Sequence, residues 1–170
     1  MKKLIFICGA NGIGKSTACR ELNMKLNNSA LVDSDFCRLI YPFEFSEDIK
    51  ATITKNMSAL LINYFSCSAV DNVIFLYGFH GPRKKMFEDV MKYINANNVK
   101  YEFVPIILEC ELEENIRRAE RDNRSLERIK YGIEATREIY KQYNYPKIDV
   151  TNLSVEETVN ALLKVISHTK

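Results

Sequence analysis

Gly9-Ala10-Asn11-Gly12-Ile13-Gly14-Lys15-Ser16-Thr17 fits the pattern G-x-x-x-x-G-K-[ST] at every fixed position. Each position has a chemical reason. Glycines let the backbone turn tightly with its N–H groups inward, which makes a concave nest for phosphate oxygens. Lys15 reaches the β- and γ-phosphates from such a loop, and the Ser16 hydroxyl ligates Mg²⁺. The pattern carries this meaning only between a strand and a helix. Leu4-Ile5-Phe6-Ile7-Cys8 before it is a short apolar run of strand formers, and Ala18, Leu22 and Leu26 after it recur at helical spacing. A chance lysine beside a glycine-rich turn does not account for a full-length match with both flanks in place.

Outward from this loop, the chain has the size of one domain, 170 residues, taken as a single unit 1–170 with a lid region at about 111–143. A net charge of +2 argues against binding driven by polyanion attraction. Five cysteines, at 8, 19, 37, 67 and 110, form no CxxC pair and leave an odd count, so no metal or disulfide framework is expected and a reducing cytoplasm is. The apolar run after Met1-Lys2-Lys3 is too short for a leader and passes directly into the phosphate loop, so a buried first strand is expected. No run approaches a membrane span.

Ser29-Ala30-Leu31-Val32 reads as a second strand ending in Asp33-Ser34-Asp35. Acids at the carboxyl end of an α/β strand lie where such sheets bind ligands, and residues two apart share a side. One acid can hold a metal-bound water while the other takes a proton from a substrate hydroxyl; capping the following helix is the alternative use. Arg38 can meet an acceptor anion or pair with Asp35 across one turn. The cluster Tyr41-Pro42-Phe43-Glu44-Phe45 walls a pocket or packs in the core.

Ser46 is expected to start a long amphipathic helix with Ile49, Ile53, Met57, Leu60, Leu61 and Tyr64 inward. Val73-Ile74-Phe75-Leu76-Tyr77 is unbroken and apolar, the mark of a central parallel strand. It carries no acid at its end, so Asp33 is assigned the metal-side duty. Tyr77, Phe79, His80 and Arg83 follow as acceptor-contact candidates. A helix from about Arg83 to Asn97 leads to a fourth strand, Tyr101 to Cys110, in which Pro105 suits a start or a bulge better than the middle. Arg117, Arg121, Arg124 and Arg128 then step by helical intervals, alongside Glu–Arg pairs at i, i+4. The bland reading is a solvated, ion-paired helix. The sharp one is a lid whose arginines close over a transferring phosphoryl group, hinged at Asp122-Asn123-Arg124-Ser125. Leu126 to Tyr143 is helical again, Ile148-Asp149-Val150 is a fifth strand, and Ser154-Val155-Glu156-Glu157 is a capping box opening the last helix.

Together these residues resemble the small phosphate-loop kinases: shikimate and gluconate kinases, nucleoside monophosphate kinases, chloramphenicol-type phosphotransferases and polynucleotide kinase modules. The resemblance spans essentially the whole chain. It implies an α/β three-layer fold, a five-stranded parallel sheet in order 2-3-1-4-5 with helices on both faces and a helical lid. Asp33-x-Asp35 looks like the D-x-D of shikimate kinases, and Asp35 with Arg38 is similar to the D-x-x-R of polynucleotide kinases. Arg117 or Arg118, Arg121 and Arg124 match lid arginines, one of them often stacking on adenine, and the loop with Asn152 matches the adenine side. The triple-glycine substrate motif of shikimate kinases is replaced by Gly78-Phe79-His80-Gly81, which speaks against shikimate itself, and no N-K-x-D guanine motif is present.

The expectation is ATP- and Mg²⁺-dependent phosphoryl transfer to a small-molecule or nucleotide acceptor by a cytoplasmic monomer or homodimer. Gly9 to Thr17, Arg117 and Asn152 hold the nucleotide, and Ser16 and Asp33 the metal. Lys15, Asp35, Arg121 and Arg124 carry the chemistry. Asp35, Arg38, Tyr77, Phe79, His80 and Arg83 face the acceptor. A 5′-hydroxyl nucleic-acid kinase and an ATPase switch without an acceptor are the alternatives.

Overall fold

The computed structural model describes residues 1–121 and 126–168, without the side chains of 126–131. The chain runs β1 (Lys3–Gly9), α1 (Lys15–Lys25), β2 (Ser29–Asp33), a 3-10 turn (Phe36–Arg38), α2 (Glu47–Ser66), β3 (Asn72–Leu76), α3 (Arg83–Ala96), β4 (Glu102–Glu109), α4 (Leu112–Arg121), α5 (Leu126–Lys141), β5 (Lys147–Asp149) and α6 (Val155–His168). The five strands are all parallel, in the order β2-β3-β1-β4-β5.

Strand β1 is the axis of the core because its two faces bury different partners. Leu4, Phe6 and Cys8 belong to the cluster built with Ile53, Met57 and Leu61 of α2 and Val90 and Ile94 of α3. Ile5 and Ile7 belong to the opposite cluster, with Leu22 of α1 and Val159, Leu162 and Ile166 of α6. Alternating residues of one strand thus anchor both outer layers, which is why the run has no polar member. Each such side chain contributes roughly 1.5–3 kcal/mol by leaving water. Helices α4 and α5 meet through a separate small cluster around Ala119 and Ile133.

The helix starts follow their caps. The Ser46 hydroxyl accepts the Ile49 N–H at 3.3 Å, with Glu47 and Asp48 in the first turn of α2. Ser154 and Glu157 bond each other's backbone N–H groups at the start of α6. Gly9 closes β1 where it runs against β4: a Cβ there would lie 2.3 Å from the Leu108 carbonyl oxygen.

Pro105 departs from expectation. It sits mid-strand in β4, opposite Phe6 of β1. The flanking bonds explain this. Glu102 donates to Lys2 of the β1 side, whereas Ile107 donates to Pro146 of the β5 side. Odd positions of β4 therefore face β5, and β5 begins pairing only at Ile107. The missing N–H of Pro105 falls on an edge.

Candidate active site

The loop between β1 and α1 opens on a cleft of about 570 Å³ at the carboxyl ends of the strands, lined by residues 11–17, Asp33, Ser34, Asp35, Arg38 and His80 among others. Gly14 caps α1 with φ at +96°, a left-handed conformation that other residues adopt only with strain, and it brings no side chain to cover the helix amides. No acidic residue stands in the first turn. The first amides of α1 and its positive end are thus kept for an external anion, which is the fit a triphosphate requires. Lys15 Nζ donates to the Gly9 and Ala10 carbonyls at 2.9 and 2.7 Å. Burial lowers its amine to about 8. Ser16 and Asp33 both line this cleft, a hydroxyl and a carboxylate of the kind that can ligate Mg²⁺.

The two acids have different surroundings. Asp33 is buried, and its Oδ1 accepts the Asp35 N–H at 2.9 Å; burial raises its carboxyl above the usual range. Asp35 turns into the cleft with its side chain 59% exposed. Its Oδ1 accepts from Arg38 Nε at 3.1 Å and Arg83 Nη1 at 3.2 Å. Burial alone would raise its carboxyl, but these two guanidiniums hold it below the usual range. Although it precedes the 3-10 turn, its side chain does not cap it. Of the two uses weighed for Arg38, pairing across one turn is the one seen.

Arg83 is neither a solvated helix start nor an exposed contact. It is only 4% exposed. Besides Asp35 it reaches Ser34 Oγ at 2.6 Å, and its guanidinium lies 4.7 Å over the Tyr77 ring, whose hydroxyl returns a bond of 2.8 Å to the Arg83 carbonyl. It forms a charged floor of the cleft. His80 Nε2 stands 3.5 Å from Arg83 Nη1, and burial together with that guanidinium pushes the imidazole down to about 4. Arginine has only donors, so the neutral ring presents Nε2 as acceptor. Phe79 corrects an expectation: it is 3% exposed, stacked on Tyr143 and Tyr140, and does not line the cleft. After β3 alternates its faces, Phe79 follows Phe75 and Tyr77 into the aromatic core around Phe6 and Phe87.

A second cleft, about 500 Å³, lies on the other side of Gly14 and contains Arg117, Arg118, Arg121 and Asn152. Arg117 pairs with Glu114. Arg121 ends α4 and opens here, away from Asp35. Arg124 and the side chain of Arg128 lie outside the described residues, as does the expected hinge 122–125. Arg118 is tied inward: it donates to the carbonyls of Ile13 at 3.0 Å and Val150 at 2.7 Å, joining the phosphate loop to the end of β5.

The sequence reading missed the residues of α4 and α5 that hold the loop. Asn115 of α4, fully buried, donates to the Asn11 carbonyl at 2.8 Å, and Thr136 of α5 accepts the Asn11 N–H at 3.2 Å. Both backbone polar groups of Asn11 are thus strapped to α4 and α5, and a Cβ on Gly12 would press on Ala119 at 3.2 Å and on Asn115 at 3.3 Å. A buried asparagine inside an otherwise apolar helix face was the available signal. Thr136→Val should lower the melting temperature by roughly 3–6 °C, since an amide loses its acceptor at about 1–2 kcal/mol, and should weaken ATP binding several-fold. Thr136→Ser should restore both, as read by thermal melts and fluorescent-nucleotide titration.

His80 gives a pH signature. Its pKa in the fold, about 4, lies below the ordinary imidazole value of 6.5. Between those values the unfolded chain binds the proton and the folded one does not, so stability falls as pH drops from 6.5 to 4. Asp33 tilts the opposite way, so the comparison is between variant and parent. His80→Gln should flatten the fall by on the order of 1–2 kcal/mol, after discounting for solvent screening, in urea unfolding at pH 7, 5.5 and 4.5.

Residues 5–141 match the family model described as AAA domain. Among solved structures, the chain is similar to the tunicamycin resistance protein of Deinococcus radiodurans, at 14% identity and a TM-score of 0.71 over 98% of this chain and 96% of that one. It is similar to the shikimate kinase of Acinetobacter baumannii in complex with shikimate, at 18% identity and a TM-score of 0.65 over 100% and 96%. The APS kinase of Mycobacterium tuberculosis, in complex with AMPPNP and APS, stands at 16% and 0.64, over 98% of each chain. Identities this low show the fold. A search of the curated proteins finds no match.

Proposed function

We propose, from the premise that this chain belongs to the AAA domain family, that it is a single-domain kinase. Its reaction is transfer of the γ-phosphoryl group of ATP to a hydroxyl or phosphate acceptor on a small molecule or nucleotide. The observation that carries this reading is that Lys15, Ser16, Asp33 and Asp35 all open into one cleft, with Asp35 braced by Arg38 and Arg83.

In this reading the amides of residues 9–17 bind the triphosphate, and Lys15 exchanges its bonds to the loop carbonyls for the β- and γ-phosphate oxygens. Asp35 orients the acceptor hydroxyl and takes its proton as the acceptor oxygen bonds to the γ-phosphorus. The bond from that phosphorus to the bridging oxygen breaks, and ADP leaves with the electron pair. Ser16 and Asp33, the latter directly or through water, would hold Mg²⁺, which when bound supplies charge neutralisation on the phosphates. Arg83, His80 and Tyr77 fix the acceptor side. Arg117 and Asn152 border the base of the nucleotide, and Arg121 with Arg124 neutralises charge as transfer proceeds.

Five free cysteines, four of them buried, support a reducing cytoplasmic setting. Among the described residues no helix is long and apolar enough to cross a membrane.

The test is a coupled ADP-release screen over nucleosides, nucleotides, sugar acids, shikimate, aminoglycosides, chloramphenicol and 5′-hydroxyl oligonucleotides. One acceptor class should accelerate ADP release in a Lys15- and Asp35-dependent way. ATP hydrolysis that no acceptor accelerates would leave only a nucleotide switch. Stimulation by oligonucleotide ends with steep salt dependence would point to a nucleic-acid kinase.

A further inference from the structure

Half of the exposed large apolar side chains among the described residues fall within ten positions. Phe36, Leu39, Tyr41, Phe43 and Phe45 are all exposed, Leu39 at 78% and Tyr41 at 98%. The reading that this aromatic cluster packs into the core is not what the fold shows. Part of it lines a pocket of about 510 Å³ made of Asp35, Arg38, Leu39, Ile40, Tyr41 and Phe43. This pocket adjoins the cleft of the phosphate loop, with Asp35 and Arg38 lining both.

Arg38 joins the two chemically. Its Nη2 stands 3.0 Å from Asp35 Oδ1 while its guanidinium lies 5.6 Å over the Phe43 ring, which in turn meets Phe45 edge-on at 4.9 Å. The apolar wall is therefore set at a fixed relation to the carboxylate that is to receive a hydroxyl proton. Leaving such side chains in water forfeits the gain of burial, and a polyol or a sugar acid would not recover it. A body with an apolar face would, and an aromatic face would also sit well against a guanidinium.

We propose that the acceptor is an alcohol on an apolar, ring-bearing body, with its hydroxyl at Asp35 and its body on Leu39, Tyr41 and Phe43. This rests on the kinase reading and names its substrate class. The occupant is a small molecule because the apolar surface runs into the reacting groups rather than away from them.

The experiment compares 4-phenyl-1-butanol with 1,4-butanediol on the full chain with the non-hydrolysable analogue AMPPNP, by saturation-transfer NMR, and with ATP by ADP release. The variant is Leu39→Ser with Tyr41→Ser; both side chains are exposed, and a melting curve checks its fold. The aryl alcohol should bind at least about tenfold tighter than the diol, and the double variant should lose about tenfold of that. Equal binding of the two alcohols, or aryl binding that survives the substitutions, overturns the proposal. So does a concentration-dependent dimer that the substitutions dissociate while no aryl alcohol binds, because a second copy then covers the patch. Aryl binding that the substitutions abolish, with no alcohol accelerating ADP release, upholds the pocket and sinks the transfer reading instead.

Discussion

Replacing Lys15 by alanine is expected to slow phosphoryl transfer by at least about 10³-fold, the scale at which a charged donor to the transferring group acts, while changing stability little. The two effects separate for a physical reason. The amine is held against the Gly9 and Ala10 carbonyls at 2.9 and 2.7 Å, in a setting whose burial pulls its pKa to about 8. Its two bonds are favourable, but keeping a charge there is costly, and alanine removes both at once. No apolar packing is lost. Lys15→Arg should not rescue, since a planar fork does not replace a compact ammonium in a tight loop. Single-turnover phosphoryl transfer and a thermal melt on the same protein decide the matter. Full turnover in the alanine variant would end the kinase reading.

Asp35→Asn is the second large effect, a fall of about 10²–10⁴-fold in transfer with ATP affinity retained, as loss of a general base implies. The amide oxygen can still accept from Arg38 and Arg83, so the geometry is kept while the proton acceptor is lost. The guanidiniums hold the native carboxyl below the ordinary carboxylate value of 3.8. Its contribution to stability is therefore fully present above that pH and is lost as pH falls through the lower folded value. The variant should be less stable than the parent at pH 7 and converge with it in strong acid. The penalty is about 1–2 kcal/mol, discounted because Asp35 is open to solvent even though Arg83 is not. Arg83 keeps Ser34 Oγ and the Tyr77 face, which limits the damage. A retained transfer rate in Asp35→Asn would remove Asp35 from the chemistry, whatever the melt shows.

The loop, the strands themselves and the acids at the end of β2 were legible because local signals governed them, while the strand order came only with the resemblance to the small phosphate-loop kinases. The glycine spacing admits one kind of turn, and Leu4 to Cys8 and Val73 to Leu76 are apolar without interruption because both their faces are covered. The rest depended on contacts far apart in sequence. Thr136 and Asn115 looked like ordinary helix residues until the fold brought them to Asn11, more than a hundred positions away in each case. Arg83 was named as an acceptor contact, but its burial was not legible because nothing nearby in sequence shows that Ser34 and Asp35 come to meet it. Pro105 was misjudged because the short length of β5 is a property of a different segment. Phe79 and the 41–45 cluster exchanged places: the residue expected in the pocket wall is core, and much of the cluster for which the core was weighed is outside.

The position of β1 in the sheet has a consequence for how the polypeptide reaches this shape. Its neighbours are β3 and β4, and both are translated only after long crossovers. During synthesis this apolar strand is therefore made before either of the two strands it pairs with. Parallel pairing of this kind closes late and leaves sticky intermediates along the way. Folding yield is then expected to respond to holdase chaperones and growth temperature as well as to the strength of the finished sheet.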